Sequence, residues 1–180
     1  MPTPLPAEEV SQRLWFHTST YADWPSNSWE PTAGWQPHGF ARMEQMLGPG
    51  AVERWRQKQL RKLLHLGTYA AAIENMLRRQ TNQNDQGHFF LYRVRLNADA
   101  AVGPNVIDDP GGMVGDVQPE AVLGPHYSIV RYINAHEDRG GISLAVRRSA
   151  IAAVQRIPVG SGGGEAEHLV ALDAARWRDL

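Results

Sequence analysis

The sequence contains no cysteine, no long apolar run and no strong excess of charge of either sign. The lack of cysteine excludes disulfide bonds, thiolate zinc sites and cysteine nucleophiles together. No apolar run approaches the ~20 residues that a membrane-spanning helix needs, and the first ten residues show no secretory signal. The 18 Lys and Arg residues are nearly balanced by 19 Asp and Glu residues, so net charge favours binding to neither nucleic acid nor a membrane. We therefore expect a cytoplasmic protein with no membrane partner.

The chain of 180 residues, 42% of them apolar, is long enough for one domain with its own core. We predict a single domain over 1–180, in which 1–12 form a flexible arm and 13–159 form the core. A glycine-rich joint, 160–164, is predicted to precede a C-terminal segment, 165–180, that forms a helix or a strand. Helical and strand-like segments alternate irregularly, and most strand-like segments follow residue 88. This order predicts the α+β class with a largely antiparallel sheet.

Apolar periodicity divides the core into helices and strands. Thr68 is a good N-cap for an alanine-rich helix, and the segment "HFFLYRVRLN" alternates as a half-buried strand does. Within 147–159, a helical turn is predicted to precede a strand. The other helices are predicted over 40–47 and 51–64, and the other strands over 13–20, 63–66, 127–134 and 142–146.

Two segments are predicted to be loops. The first, 21–39, is rich in Pro, Gly and Ser but carries Trp24, Trp29 and Trp35. Large aromatic rings bury much surface, so we expect this loop to be ordered, either covering the core or forming the wall of a cleft. The second, 97–125, contains two Gly/Pro clusters and is predicted to be a long irregular excursion.

Common catalytic motifs are missing from the sequence. There is no G-x-S-x-G elbow, the seven histidines are dispersed, and the glycine-rich joint lacks the Lys of a phosphate-binding loop. We therefore predict neither a serine hydrolase nor a metal site. Three polar residues at strand ends remain: His17 in "WFHTST", His65 in "LHLGT" and Glu137 in "NAHEDRGGIS". Each alone is more often structural than catalytic.

In this order, the three motifs resemble the ADP-ribosyltransferase superfamily, in the branch with a His–Tyr/His–Glu triad that includes diphtheria-toxin-like enzymes and poly(ADP-ribose) polymerases. "WFHTST" stands where that branch ends its first strand in His-Gly-Thr or His-Gly-Ser. "LHLGTYAAAIENM" stands where a strand with Tyr or His leads into an alanine-containing helix, and "NAHEDRGGIS" where Glu begins a late strand. The resemblance covers roughly residues 13–150. It implies a single-domain ADP-ribosyltransferase-like fold, with a split antiparallel β-sheet core and N-terminal helices.

The resemblance also implies a reaction and a set of site residues. NAD would be the substrate, its nicotinamide–ribose bond would break, and ADP-ribose would pass to a protein or nucleic-acid acceptor or to water, with no metal. The implied catalytic residues are Glu137, which stabilises the ribose cation, His17, which hydrogen-bonds the adenosine-side ribose, and His65, which stacks on the nicotinamide. The implied NAD-contacting residues are His17, Thr18, Ser19, His65, Gly67, Thr68 and Tyr69.

Several alternatives remain open from the sequence. Thr18 stands where the family has glycine, so its side chain could close the nicotinamide pocket and leave a binding module without turnover. Asp138 and Glu120 compete with Glu137 for the role of the carboxylate. The basic segment 54–62, which contains Trp55, could instead contact RNA phosphates together with Arg78-Arg79. NAD hydrolysis by the purified protein distinguishes an enzyme from both other readings.

Overall fold

The computed structural model describes residues 5–110, 116–160 and 162–180. The described chain contains both helices and strands, which confirms the α+β class. The helices are α1 (Ala7–Val10), α2 (Pro37–Leu47), α3 (Ala51–Arg61), α4 (Tyr69–Asn82), α5 (Pro119–Val122) and α6 (Glu165–Ala174). The strands are β1 (Trp15–Ser19), β2 (Leu64–Leu66), β3 (Phe89–Leu96), β4 (Val102–Asp108), β5 (Ile129–Ile133), β6 (Ile142–Val146), β7 (Ile151–Val159) and β8 (Arg178–Asp179).

The strands of the described residues form two four-stranded sheets. The first has the order β1-β3-β7-β8, and its neighbouring strands are antiparallel. The second has the order β2-β6-β5-β4, in which the β4–β5 pair is parallel and the other two described pairs are antiparallel. The expected predominance of antiparallel pairing is therefore confirmed. One apolar core takes side chains from both sheets, including Tyr92, Val94 and Val154 from the first and Leu66, Leu144 and Val146 from the second.

The two sheets are joined through the backbone of Phe16 and Gly67. The Phe16 N–H donates to the Gly67 carbonyl at 2.9 Å, and the Gly67 N–H donates back to the Phe16 carbonyl at 3.0 Å. This bridge is isolated, because β1 and β2 form no longer ladder with each other in the described chain. The backbone edges of β1 and β2 therefore separate beyond the bridge.

The prediction that residues 1–12 form a flexible arm is wrong for residues 5–12, which the structure describes. Leu5 and Val10 are buried in the core shared by the two sheets, and residues 7–10 form α1. Two further contacts hold this segment: Arg131 donates to the Leu5 carbonyl at 2.5 Å, and the Trp15 indole donates to the Val10 carbonyl at 2.9 Å. Residues 1–4 lie outside the described residues.

The irregular excursion predicted over 97–125 is also partly wrong, because it contains β4 and α5. β4 is an edge strand whose register with β5 shifts between Val102 and Val106. Gly103 and Pro104 interrupt any apolar alternation there, and proline is tolerated at a sheet edge because no neighbour needs its N–H. Residues 111–115 lie outside the described residues.

The C-terminal segment packs on β7 and adopts both of the alternatives that the sequence left open. Residues 165–174 form α6, which buries Leu172, and residues 178–179 pair with β7 as β8. The Gln155 amide of β7 donates to the carbonyls of Leu172 at 2.8 Å and Ala175 at 2.7 Å. The predicted joint, 160–164, connects β7 to α6, and its residue 161 lies outside the described residues. In the described ranges, no helix has the length and apolarity needed to cross a membrane.

We predict that the bridge requires glycine at position 67, because a side chain would not fit there. A Cβ built at this position would lie 2.8 Å from the Ala71 Cβ and 3.2 Å from the Ser143 Oγ. Gly67→Ala should therefore lower the free energy of unfolding by ~1–3 kcal/mol, the usual cost of overpacking. Gly160→Ala is the matched control, since a Cβ there has nothing within 4 Å. Urea unfolding of both variants measures the difference, and equal stability would show that the bridge tolerates a methyl group.

Candidate functional site

A cavity of about 970 Å³ opens where β1 and β2 separate. Its wall combines the ends of both strands with one face of α4, the turn before β6 and the tryptophan-containing loop. Six of the eight site residues predicted from the sequence line it: His17, Thr18, Ser19, His65, Gly67 and Glu137. Thr68 and Tyr69 are not among the described lining residues.

His17 lies immediately after the bridge on β1. Its Nδ1 lies 2.8 Å from the His65 carbonyl oxygen, and its ring stacks on Trp24 with a centroid separation of 4.1 Å. Burial lowers the pKa of His17 to about 3, against an ordinary value of 6.5. A carbonyl oxygen only accepts, so the neutral ring carries its proton on Nδ1 and its lone pair on Nε2. His17 is thereby prepared to accept a hydrogen bond from a ligand.

His65 lies on β2 and faces the cavity. Leu66 is buried in the shared core and Leu64 packs against it, as alternation along a strand predicts. The His65 Nδ1 lies 3.0 Å from the Tyr132 hydroxyl of β5, and the two rings meet edge to face at 5.7 Å. Burial, and then the nearby charges of Asp109 and Glu137, raise the pKa of Tyr132, so its phenol stays protonated. This contact fixes the orientation of the imidazole.

Glu137 lies in the turn between β5 and β6, and Asn134 shapes that turn. The Asn134 Oδ1 accepts hydrogen bonds from three consecutive N–H groups, those of residues 136, 137 and 138, at 3.0, 2.8 and 3.1 Å. The Glu137 Oε1 lies 2.5 Å from an Arg78 guanidinium nitrogen and accepts from the Asn75 amide at 3.4 Å. The carboxylate is therefore held against α4, with only 14% of the side chain exposed.

Thr18 and Ser19 line the cavity but use their hydroxyls elsewhere. The Thr18 hydroxyl donates to the Ala72 carbonyl of α4 at 2.8 Å, and the Ser19 hydroxyl accepts from the Tyr21 N–H at 3.0 Å. The first contact directs the threonine side chain onto α4. It therefore gives no support to the idea that this residue closes the pocket.

Thr68 and Tyr69 have structural partners. The Thr68 hydroxyl accepts from the Ala71 N–H at 3.1 Å, which confirms it as the N-cap of α4, and donates to Asp138 at 2.8 Å. The Tyr69 hydroxyl lies 2.7 Å from the His168 Nδ1. These contacts give no support to a direct role of either residue in binding NAD.

The two rival carboxylates occupy different surroundings. Asp138 accepts from the Thr68 hydroxyl and is not among the described residues that line the cavity. Glu120 lines the cavity, but its side chain is 67% exposed and lies 3.7 Å from Arg61. Of the three carboxylates that the sequence left open, Glu137 is the one that combines burial with a place in the cavity.

Several cavity residues were not identified from the sequence. Tyr132, Asn134 and Ser143 come from β5, the following turn and β6, while Asn75 and Arg78 lie on one face of α4. The sequence signals for these residues were weak. Tyr132 and Asn134 alternate in "RYIN", and Asn75 and Arg78 are three residues apart on a helix. Neither spacing reveals which distant residue they meet.

Positive charge prevails on the cavity wall. Its described cations outnumber its described carboxylates by six to three, which favours a ligand with more than one negative charge. Lys62 lies over the Trp29 ring at 5.8 Å, and burial lowers the pKa of this lysine. The cations are Arg61, Lys62, Arg78, Arg79, Arg147 and Arg148, and the carboxylates are Asp109, Glu120 and Glu137.

The part of the chain that the structure describes contains no group of three or more His, Asp and Glu residues that could hold a metal ion. Comparisons of the chain with protein-family models, with curated proteins and with solved structures found no match.

The neutral, partly buried His17 is expected to make stability depend on pH. Below pH 6.5 the unfolded chain protonates this histidine, whereas the folded protein resists protonation down to about pH 3. Stability should therefore fall as pH drops through this window, by at most ~1.4 kcal/mol per pH unit for one proton. His17→Asn keeps a donor for the His65 carbonyl but cannot titrate, so its stability should fall less steeply. Denaturant unfolding at several pH values measures both slopes, and identical slopes would contradict a neutral His17 with a lowered pKa.

Proposed function

We propose that the protein is an NAD-dependent ADP-ribosyltransferase that modifies a protein or nucleic-acid acceptor and hydrolyses NAD when the acceptor is missing. One observation carries this proposal. His17, His65 and Glu137, from three segments far apart in the sequence, line one cavity. The ADP-ribosyltransferase resemblance expects these three residues to line one cavity.

The proposed reaction exchanges one bond at the ribose C1′ for another. The C1′–nitrogen bond breaks, and its electron pair leaves with nicotinamide, which becomes neutral. Positive charge develops on the ribose, as in glycoside hydrolysis, and a carboxylate beside it stabilises that charge. The acceptor nucleophile then bonds to C1′ and releases a proton. Nicotinamide leaves readily, so the site needs no strong acid, and Glu137 supplies the carboxylate.

The histidines contribute binding and orientation in this proposal. Neutral His17 offers its Nε2 to a hydroxyl of the adenosine-side ribose. His65, oriented by Tyr132, presents its ring to the nicotinamide. The positive wall suits the diphosphate, and a volume of about 970 Å³ lies within the range of small-molecule sites.

The contacts give less support to the other two readings. Three of the five cations in the basic segment 54–62 have acidic neighbours: Arg56 pairs with Glu30 at 2.8 Å, Lys58 with Asp116 at 2.9 Å and Arg61 with Glu120 at 3.7 Å. The segment therefore presents less net charge to RNA phosphates than its sequence alone suggests. A binding module without turnover was expected if Thr18 blocked the pocket, but its hydroxyl bonds to α4 instead.

Glu137→Gln should abolish NAD turnover while leaving the fold intact. The change keeps the side-chain volume but removes the charge that faces the ribose cation, so kcat should fall by ~10²–10³. Glu120→Gln is the comparison, because this exposed carboxylate should be dispensable. Release of nicotinamide from NAD measures turnover, and thermal melts check the fold. Full activity of the Glu137 variant would exclude this residue as the catalytic carboxylate.

NAD should change the fluorescence of Trp29, which lines the cavity together with Trp24. Trp35 is a suitable control, because it packs against Trp55 at 4.8 Å and is outside the described lining. The spectral change on adding NAD should therefore shrink in Trp29→Phe and persist in Trp35→Phe. Titration of each variant, with binding verified by calorimetry, tests this expectation. Equal changes in both variants would place the ligand elsewhere.

A further inference from the structure

Arg78 of α4 occupies an unusual position beside the proposed catalytic carboxylate. One guanidinium nitrogen lies 2.5 Å from the Glu137 Oε1, and both side chains line the cavity. The Arg78 Nε is buried and has no hydrogen-bond partner among the described residues. A buried donor of this kind is costly unless something accepts from it. The guanidinium can therefore satisfy more acceptors than Glu137 alone provides.

The ion pair opposes the proposed chemistry as long as it stays closed. A carboxylate stabilises a ribose cation through its negative charge, and a guanidinium at 2.5 Å offsets most of that charge. The Arg78 and Glu137 side chains are only 23% and 14% exposed, so solvent does little to weaken their attraction. Turnover should therefore require the substrate to supply a competing anion.

The diphosphate of NAD is such an anion. It is attached through C5′ to the ribose whose C1′ carries the nicotinamide. The diphosphate and the scissile bond would therefore lie in the same region of the cavity. Guanidinium groups bind phosphate oxygens through two parallel hydrogen bonds. The adjacent Arg79 is held differently, since it bonds to Asp85 at 2.5 Å and lies over the Phe89 ring at 4.9 Å. Arg78 is the arginine that touches the carboxylate.

We infer that Arg78 determines specificity for a dinucleotide by exchanging Glu137 for the diphosphate oxygens when NAD binds. This inference rests on the proposed function. The exchange releases the carboxylate towards the ribose, so a substrate that carries the diphosphate also activates the site. A nicotinamide nucleoside without phosphate leaves the pair closed and is cleaved poorly, although its scissile bond is the same.

Kinetics with NAD and with nicotinamide riboside test the inference. In Arg78→Gln, kcat/KM for NAD should fall ~10–100-fold, mainly through KM, because a charged hydrogen bond to the diphosphate is lost. For the riboside, kcat/KM should stay the same or rise, since Glu137 is no longer neutralised. Equal losses for both substrates would make Arg78 a support for Glu137 alone, and no loss for either would remove it from the site. Both results overturn the inference.

The matched control is Arg95→Gln, whose arginine lies outside the described cavity lining and 3.8 Å from the exposed Asp179. This variant should keep the preference of the wild-type protein for NAD over the riboside. Thermal melts verify that each variant folds. If Arg78→Gln does not fold, Arg78→Lys replaces it, because lysine keeps the charge but loses the two-pronged contact, and it should lose part of the same preference.

Calorimetry with ADP-ribose separates this inference from the proposed function. ADP-ribose carries the diphosphate but has no bond to cleave, and its affinity should fall at least about tenfold in Arg78→Gln and not in Arg95→Gln. If ADP-ribose binds through Arg78 but NAD is not cleaved, the diphosphate subsite stands and the proposed function fails. If NAD is cleaved but neither the affinity for ADP-ribose nor the preference for NAD over the riboside changes in Arg78→Gln, the function stands and the inference fails. Absence of both binding and cleavage overturns both.

Discussion

The backbone bridge between Phe16 and Gly67 is the constraint on which the candidate site depends. It joins two sheets that are otherwise separate, and beyond it β1 and β2 pair no further with each other in the described chain. The next link between these strands is a side chain, because His17 donates from Nδ1 to the His65 carbonyl. This hydrogen bond, which links the two strands, therefore also sets the tautomer of His17 and the direction of its Nε2 lone pair.

Helix α4 holds the opposite side of the cavity in place. Its N-cap, Thr68, is bonded to Asp138 in the turn before β6, and its Ala72 carbonyl accepts from Thr18 of β1. Farther along the helix, Arg78 meets Glu137. One helix thus contacts the end of a strand in the first sheet and a turn of the second sheet. A shift of α4 would change the distance between His17 and the carboxylate, so these structural contacts bear directly on the site.

Local patterns explain which parts could be predicted from the sequence. The strand β3 was predictable because its alternation from Tyr92 to Leu96 reflects burial, and α4 was predictable because Thr68 caps an alanine-rich segment. The edge strand β4, with Gly103 and Pro104, has no such pattern, and the backbone of the buried Leu5 is bonded to the distant Arg131. In the site, strand-end motifs pointed to individual residues. The partners of those residues are contacts between distant segments, such as His65 with Tyr132, and a single sequence does not record them.

The electrostatics of the cavity follow from the same arrangement. Burial lowers the pKa of His17 and raises that of Tyr132, so both groups beside the strand gap are neutral at physiological pH. Neutral neighbours screen a charge far less than water does, and a carboxylate facing them exerts a strong field. Arg78 is the ion-pair partner that offsets the field of Glu137 in the described chain. The position of that guanidinium therefore governs how much negative charge the cavity presents to a developing cation.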